Sequence, residues 1–168
     1  MNKKLNNHSI MHNKANFTSS PFISYWLITM IIMVGLMISI GGITRLTESG
    51  LSMVEWRPLW GFLPPLNDTE WNRIFNLYMK SPEYILINNG MDLSSFKNIF
   101  FWEYFHRLWG RLIGIIFIIP FIFFIAVKTF PKFLLKRTIF ILFLGGIQGL
   151  IGWWMVKSGL VNDPTVSQ

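Results

Sequence analysis

The segment FWEYFHRLWGRLIG, residues 101–114, gathers an acid, an imidazole and two arginines within about three helical turns. On a helix that turns by about 100° per residue, several of its polar and small residues fall along one stripe: Glu103, His106, Arg107, Gly110 and Gly114. A neutral imidazole can be an axial ligand of haem iron, and arginines can pair with the propionates of that cofactor. A carboxylate one turn away can accept or donate a proton at a reacting carbon.

Each of these residues also has an ordinary structural explanation. A histidine near a helix end is more often a hydrogen-bonding group at the membrane interface than a ligand. Arg107 and Arg111 can extend toward lipid headgroups, and Glu103 can simply pair with Arg107 at i+4. Glycines spaced by four residues allow close helix packing. The pattern alone therefore leaves both a ligand site and a packing surface open.

Three apolar runs must position this segment. Hydrophobic residues make up 52% of the 168 residues and charged residues only 14%, which excludes an ordinary soluble domain. The runs predict transmembrane helices at residues 21–44, 99–127 and 138–156. The second uncharged run is short, so we expect its helix to begin earlier and carry the polar stripe at the bilayer edge. The predicted fold class is therefore an all-α, polytopic membrane helix bundle with three transmembrane helices in this chain.

The surplus of basic residues indicates orientation. The net charge of +7 comes from the tail at residues 1–20 and the loop at residues 128–137, because the other acidic and basic residues cancel. Short positive segments stay in the cytoplasm, so residues 45–98 and the tail at residues 157–168 are expected on the external side. We expect a multi-pass protein of the bacterial cell (inner) membrane with a cytoplasmic N-terminus. Membrane lipid is an expected partner, and nucleic acid is not.

The external loop at residues 45–98 is predicted to contain short amphipathic helices. Residues 69–80 have apolar side chains at i, i+3, i+4 and i+7, with Asp68 or Thr69 as the helix cap and Pro82 ending the helix. A second helix start lies at residues 92–95. The aromatic content of the loop fits either interfacial anchoring or a lid over a ligand site. The chain has no cysteine, which excludes disulfides and thiolate metal sites.

Three blocks of sequence resemble the bacterial and mitochondrial haem A synthase family, in its alphaproteobacterial-type branch. They are GGITRLTESGLSMVEWRPLWGFLPPL, PEYILINNGMDLSSFKNIFFWEYFHRLWGRLIG and LGGIQGLIGWWMVKSGL, and the likeness runs from about Trp26 to the last residue. The resemblance implies oxidation of the C8 methyl group of haem O to the formyl group of haem A, for terminal oxidase assembly. It also implies water as the oxygen source, haem B as a second, electron-transferring haem, and an eight-helix bundle in the intact protein.

The resemblance also assigns roles to residues of the ExxHR motif. His106 matches the first histidine of the family's N-terminal half, which implies an axial ligand facing the substrate haem. Glu103 matches the family's glutamate, which implies proton handling or carbocation stabilisation during hydroxylation. Chemistry and position alone make Arg45, Arg107 and Arg111 candidate partners of the haem propionates.

The length of the chain departs from the family pattern. It stops before the fourth helix, so we expect a fragment that lacks the second histidine and the haem B site, and that is inactive alone. The expected partners are haem O, haem O synthase, and either the missing C-terminal half or a second copy of the chain. Two other functions stay open: a non-enzymatic haem-binding membrane anchor that uses a homodimer, and an inactive remnant whose polar stripe only packs. The sequence does not identify the electron acceptor.

Overall fold

The computed structural model describes residues 20–55, 63–161 and 164. Within these residues the secondary structure is entirely helical, with no β-strand. The helices in chain order are α1 (Pro21–Leu46), α2 (Asp68–Tyr78), α3 (Pro82–Leu86), α4 (Leu93–Ala126) and α5 (Lys132–Val161).

Three of these helices, α1, α4 and α5, are long and apolar enough to cross a membrane. They contain 26, 34 and 30 residues, and about 20 helical residues suffice to cross a hydrocarbon core. The predicted fold class, an all-α membrane protein with three spanning helices, is confirmed. The limits of the bilayer along each helix, predicted at residues 21–44, 99–127 and 138–156, stay a prediction.

Helices α1 and α4 pack against each other in antiparallel directions. Near the start of α1, the indole N–H of Trp26 donates to the carbonyl oxygen of Ile116 at 2.9 Å. Further along α1, the carbonyl oxygen of Met33 accepts a hydrogen bond from the indole N–H of Trp109 at 3.0 Å. The ring of Trp26 also lies in a buried cluster with three phenylalanines of α4: Phe117, Phe121 and Phe124. This register sets the second half of α1 beside the ExxHR segment.

Residues 47–92 lead from α1 to α4, and their described part forms a small cap built around aromatic rings. Its buried cluster joins α2 to the start of α4 through Ile74, Tyr78, Phe96, Ile99 and Phe100. Asn67 caps α2, in place of the expected Asp68 or Thr69, by accepting a hydrogen bond from the N–H of Glu70 at 2.8 Å. The cap is therefore an ordered body attached to the first turns of α4.

Pro82 begins a helix rather than only ending one. Helix α2 ends at Tyr78, and Pro82 occupies the first turn of α3, with Ser81 as its N-cap. Proline suits this position because its missing N–H has no helical partner there and its fixed φ already fits a helix. The short α3 places Glu83 inside the cap.

Helix α5 makes few contacts with the rest of the described chain. Its only buried residues are Thr138 and Gly159, and nothing described lies within 4 Å of an added Cβ at Gly145 or Gly149. In the part that the structure describes, its contacts include those with α3, near its C-terminal end. The close packing that the glycine spacing of α5 permits is therefore not made among the described residues.

Candidate functional site

A cavity of about 600 Å³ opens between α1, α4 and α5. It is lined by all the residues that the sequence singled out as a candidate site: Arg45, Glu103, His106, Arg107 and Arg111. Glycines from α1, α4 and α5 complete part of the wall. The volume lies within the range of about 300–1,000 Å³ that small-molecule sites occupy.

The carboxylate of Glu103 is held by three donors. It is 2% exposed, and its Oε2 accepts hydrogen bonds from the hydroxyl of Ser52 and the backbone N–H of Met53, both at 2.6 Å. The guanidinium of Arg107 donates to Oε1. Charge-assisted bonds of this kind are among the stronger hydrogen bonds in proteins. The carboxylate therefore has a fixed position at the wall of the cavity.

The turn after α1 brings Ser52 to Glu103. Glu48 has a positive φ of 50°, which turns the chain out of the helix. The backbone N–H of Ser49 then donates to the carbonyl oxygen of Thr44 at 3.0 Å, and the hydroxyl of Ser52 lies 3.2 Å from the carbonyl oxygen of Ser49. Both serines are fully buried. This turn, rather than α4 itself, supplies two of the three donors to Glu103.

Sequence reasoning did not identify Ser52 and Met53. The signal was present in the order TESGLSM, residues 47–53, where small polar residues follow directly after an apolar helix. Interfacial anchoring and a lid both stay predictions for the cap, which contacts the cavity wall through Ser52 and Met53.

An ion pair anchors the chain just beyond Met53. The guanidinium of Arg73 on α2 donates to both carboxylate oxygens of Glu55, at 2.7 and 2.8 Å, and also pairs with Glu70 at 2.9 Å. The hydrogen bonds from these two carboxylates raise the pKa of Arg73, so it stays charged throughout the usual pH range. The segment that carries Ser52 and Met53 is thereby tied to the cap.

His106 lies against α1 at a glycine. A Cβ added to Gly41 would stand 3.4 Å from Nε2 of His106, so the absence of a side chain at this position lets the imidazole approach the helix. His106 lines the cavity, and no described residue hydrogen bonds to its ring. A half-buried imidazole that has no other partner within the described residues is suited to metal ligation.

The three arginines differ in what they contact. Arg107 forms an ion pair with Glu103, which is the i+4 pair that the sequence spacing allowed. Arg45 is exposed, in the last turn of α1. Arg111 is half-buried and lines the same cavity. Arg107 is therefore best placed to position Glu103, and Arg45 and Arg111 contribute positive charge at two sides of the cavity.

Among residues 20–55, 63–161 and 164, no group of three or more histidine, cysteine, aspartate or glutamate side chains is arranged to hold a metal ion. His106 is the one histidine in those ranges, since His8 and His12 lie outside the described residues. The arrangement fits a metal that brings its own equatorial ligands, as haem iron does, and takes an axial imidazole from the protein.

Comparison with known proteins finds similarity along most of the chain. A profile of the COX15-CtaA family, described as "Cytochrome oxidase assembly protein", matches residues 24–168. A "Heme A synthase" of Parvibaculum lavamentivorans is 49% identical over 146 residues, which cover 87% of this chain and 42% of that protein. A "Heme A synthase" of Paramagnetospirillum magneticum is 50% identical over 145 residues, covering 86% and 41%. No solved structure matches the chain.

A third relative has a composite name. The "Heme A synthase-mitochondrial ferredoxin fusion protein" of Schizosaccharomyces pombe is 51% identical over 144 residues, which cover 86% of this chain and 23% of that protein. The chain spans about two fifths of the length of the first two relatives. The family match extends over most of the chain, and the resemblance found in the sequence is confirmed. The chain belongs to the COX15-CtaA family of cytochrome oxidase assembly proteins.

Proposed function

We propose that this chain supplies the haem O site of a haem A synthase, an oxidoreductase that converts the C8 methyl group of haem O to a formyl group for terminal oxidase assembly. The observation that carries the proposal is that Glu103 and His106 line one cavity between three membrane-type helices. The names of the relatives support the same activity.

In this proposal His106 is an axial ligand of the haem O iron. Its imidazole has no hydrogen-bond partner among the described residues, and Gly41 leaves room for it beside α1. Arg45 and Arg111 are the candidate partners of the two propionates, because they line the same cavity as His106. Arg107 acts mainly through its ion pair with Glu103.

Glu103 is the proposed acid–base group. Oxidation of a methyl group to a formyl group with water as the oxygen source releases four protons and four electrons per haem, so a nearby proton acceptor is required. The bonds from Ser52, Met53 and Arg107 hold the carboxylate in one orientation at the wall of the cavity. A general base positioned in this way contributes about 10²–10⁴-fold to a rate.

The remaining expectations concern partners and location. Haem B is the proposed electron-transferring haem, with its site in a C-terminal part of the protein that this chain does not contain. That part, or a second copy of the chain, supplies the second imidazole. Haem O synthase delivers the substrate.

We also propose the bacterial inner membrane as the location, with the N-terminus and residues 128–137 in the cytoplasm and residues 45–98 outside.

The test is haem A formation in a bacterium that lacks its own haem A synthase. The chain is co-expressed with the C-terminal remainder of the Parvibaculum relative, and the extracted haems are separated. Haem A is expected with the unmodified chain and with Asp68→Asn, which changes a control acid of the cap whose side chain is 92% exposed. Strong loss is expected with Glu103→Gln. Wild-type haem A levels with Glu103→Gln contradict the proposed role. Haem that is bound but never converted favours the non-enzymatic haem anchor.

A further inference from the structure

The cap contains a second buried carboxylate that the proposed chemistry does not use. Glu83, in the first turn of α3, is 2% exposed, and its Oε2 has no hydrogen-bond partner among the described residues. An ionised carboxylate in such a place is unfavourable unless donors or cations surround it. Glu103 is equally buried but is bound by three donors, so the two acids differ in how well their charged forms are stabilised.

The groups that face Glu83 come from three neighbouring segments. Tyr78 on α2 hydrogen bonds to it, and the charges of Glu103 on α4 and Glu48 after α1 act on it. Burial first, and then these two carboxylates, raise the pKa of Glu83 from 4.5 to about 8, despite the opposing effect of the bond from Tyr78. Glu83 therefore carries a proton at neutral pH and can release it within the physiological range.

A polar path continues from Glu83 to the surface of the cap. Tyr78 is fully buried, and its hydroxyl accepts a hydrogen bond from the side-chain amide of Asn88 at 2.8 Å. The backbone N–H of Asn88 also donates to the carbonyl oxygen of Glu83 at 3.0 Å, which holds Asn88 over this pair. Asn88 is only half-buried. Burial thus decreases from the two glutamates and the tyrosine toward Asn88.

We propose that Glu83 and Tyr78 form a proton relay through the cap, which accepts protons released at Glu103 and passes them to the surface beside Asn88. The relay rests on the proposed role of Glu103 as the acid–base group. It assigns a function to Glu83, which lies in the second of the three sequence blocks that resemble the family.

The steps are proton transfers alone. An O–H bond breaks at protonated Glu103, and one forms at Oε2 of ionised Glu83. This oxygen has no hydrogen-bond partner among the described residues. Glu83 then gives this proton to the Tyr78 oxygen while the tyrosine releases its own hydroxyl proton to water beside Asn88. Because the two carboxylates repel each other's charge, protonation of Glu103 favours release from Glu83, and ionisation of Glu103 favours reloading.

The first test is infrared spectroscopy of the purified full chain. A carboxylic acid C=O band that shifts in D₂O is expected at pH 6 and should disappear with a midpoint near pH 8. Glu83→Gln should remove this band, and the exposed control Asp68→Asn should leave it unchanged. Tyr78→Phe should raise the midpoint. The variant lacks the hydrogen bond from Tyr78, which stabilises the charged form of Glu83 in the wild type. A wild-type chain without a band that titrates near this pH overturns the relay.

The second test measures haem A formation at several pH values, using the same co-expressed C-terminal remainder. Glu83→Gln should lower kcat by about tenfold or more and leave KM unchanged, with Glu83→Asp restoring part of the rate. Wild-type kcat for Glu83→Gln at every pH, together with an inactive Glu103→Gln, overturns the relay and leaves the proposed function standing. Wild-type activity of Glu103→Gln overturns the proposed function itself.

Discussion

The hydroxyl of Ser52 donates a 2.6 Å hydrogen bond to the carboxylate of Glu103, although the two residues are 51 positions apart. Together with the N–H of Met53, this bond connects the turn after α1 to the wall of the cavity. The orientation of Glu103 therefore depends on the fold of the cap as well as on α4.

Ser52→Ala should destabilise the chain and loosen Glu103. Removing one donor from a buried carboxylate costs about 1–3 kcal/mol, and each kcal/mol lowers the Tm of a chain of this size by about 2–4 °C. Ser158→Ala is the matched control, because the half-buried Ser158 donates its hydroxyl to the carbonyl oxygen of Met155 within its own helix. Thermal unfolding in detergent measures both. Equal Tm values for the two variants contradict the importance of this hydrogen bond.

Gly41→Val should weaken haem O binding. A Cβ at residue 41 already reaches within 3.4 Å of the His106 ring, so a branched side chain forces the imidazole to move. Overpacking of this kind should weaken binding by about tenfold, equivalent to about 1.4 kcal/mol. Gly42→Val is the control, since nothing described lies within 4 Å of a Cβ there. Titration with haem O, followed by absorbance, compares them. The prediction is wrong if both variants bind equally.

Stability should fall as the pH rises from about 4.5 to about 8. Over this interval the folded chain keeps the proton of Glu83 and the unfolded chain has lost it, because the folded pKa is raised to about 8. The free energy of unfolding then decreases by at most about 1.4 kcal/mol per pH unit and levels off above the folded pKa. Glu83→Gln should remove this part of the slope, and the exposed control Asp68→Asn should retain it. The measurement is Tm across the pH range for each variant. If Tm changes with pH in Glu83→Gln as it does in the wild type, Glu83 is not the protonated group.

Local sequence patterns predicted the features that depend on one helix. The apolar runs predicted α1, α4 and α5, and the period of α4 predicted that Glu103, His106 and Arg107 share a face. The cavity does collect them. Such features follow from helical geometry and hydrophobicity, which act over a few turns.

Features that depend on contacts between distant segments were not predictable in the same way. The bonds from Ser52 and Met53 to Glu103 require the left-handed residue at Glu48 and the packing of the cap on α4. Glu83 reads in the sequence as an ordinary acid in a loop, and only the tertiary structure shows its burial beside Tyr78. Pro82 was expected to end a helix, whereas the N-cap at Ser81 makes it the start of α3.

The measurement that tests the central claim most directly is haem O binding by histidine variants of the purified chain. The chain has three histidines, so His106→Ala can be compared with the His8→Ala/His12→Ala double variant, which changes only the N-terminal tail. The account predicts that the wild type and the tail variant shift the haem absorption bands equally, and that His106→Ala abolishes the shift. Wild-type binding by His106→Ala would contradict the assignment of His106 as the haem ligand.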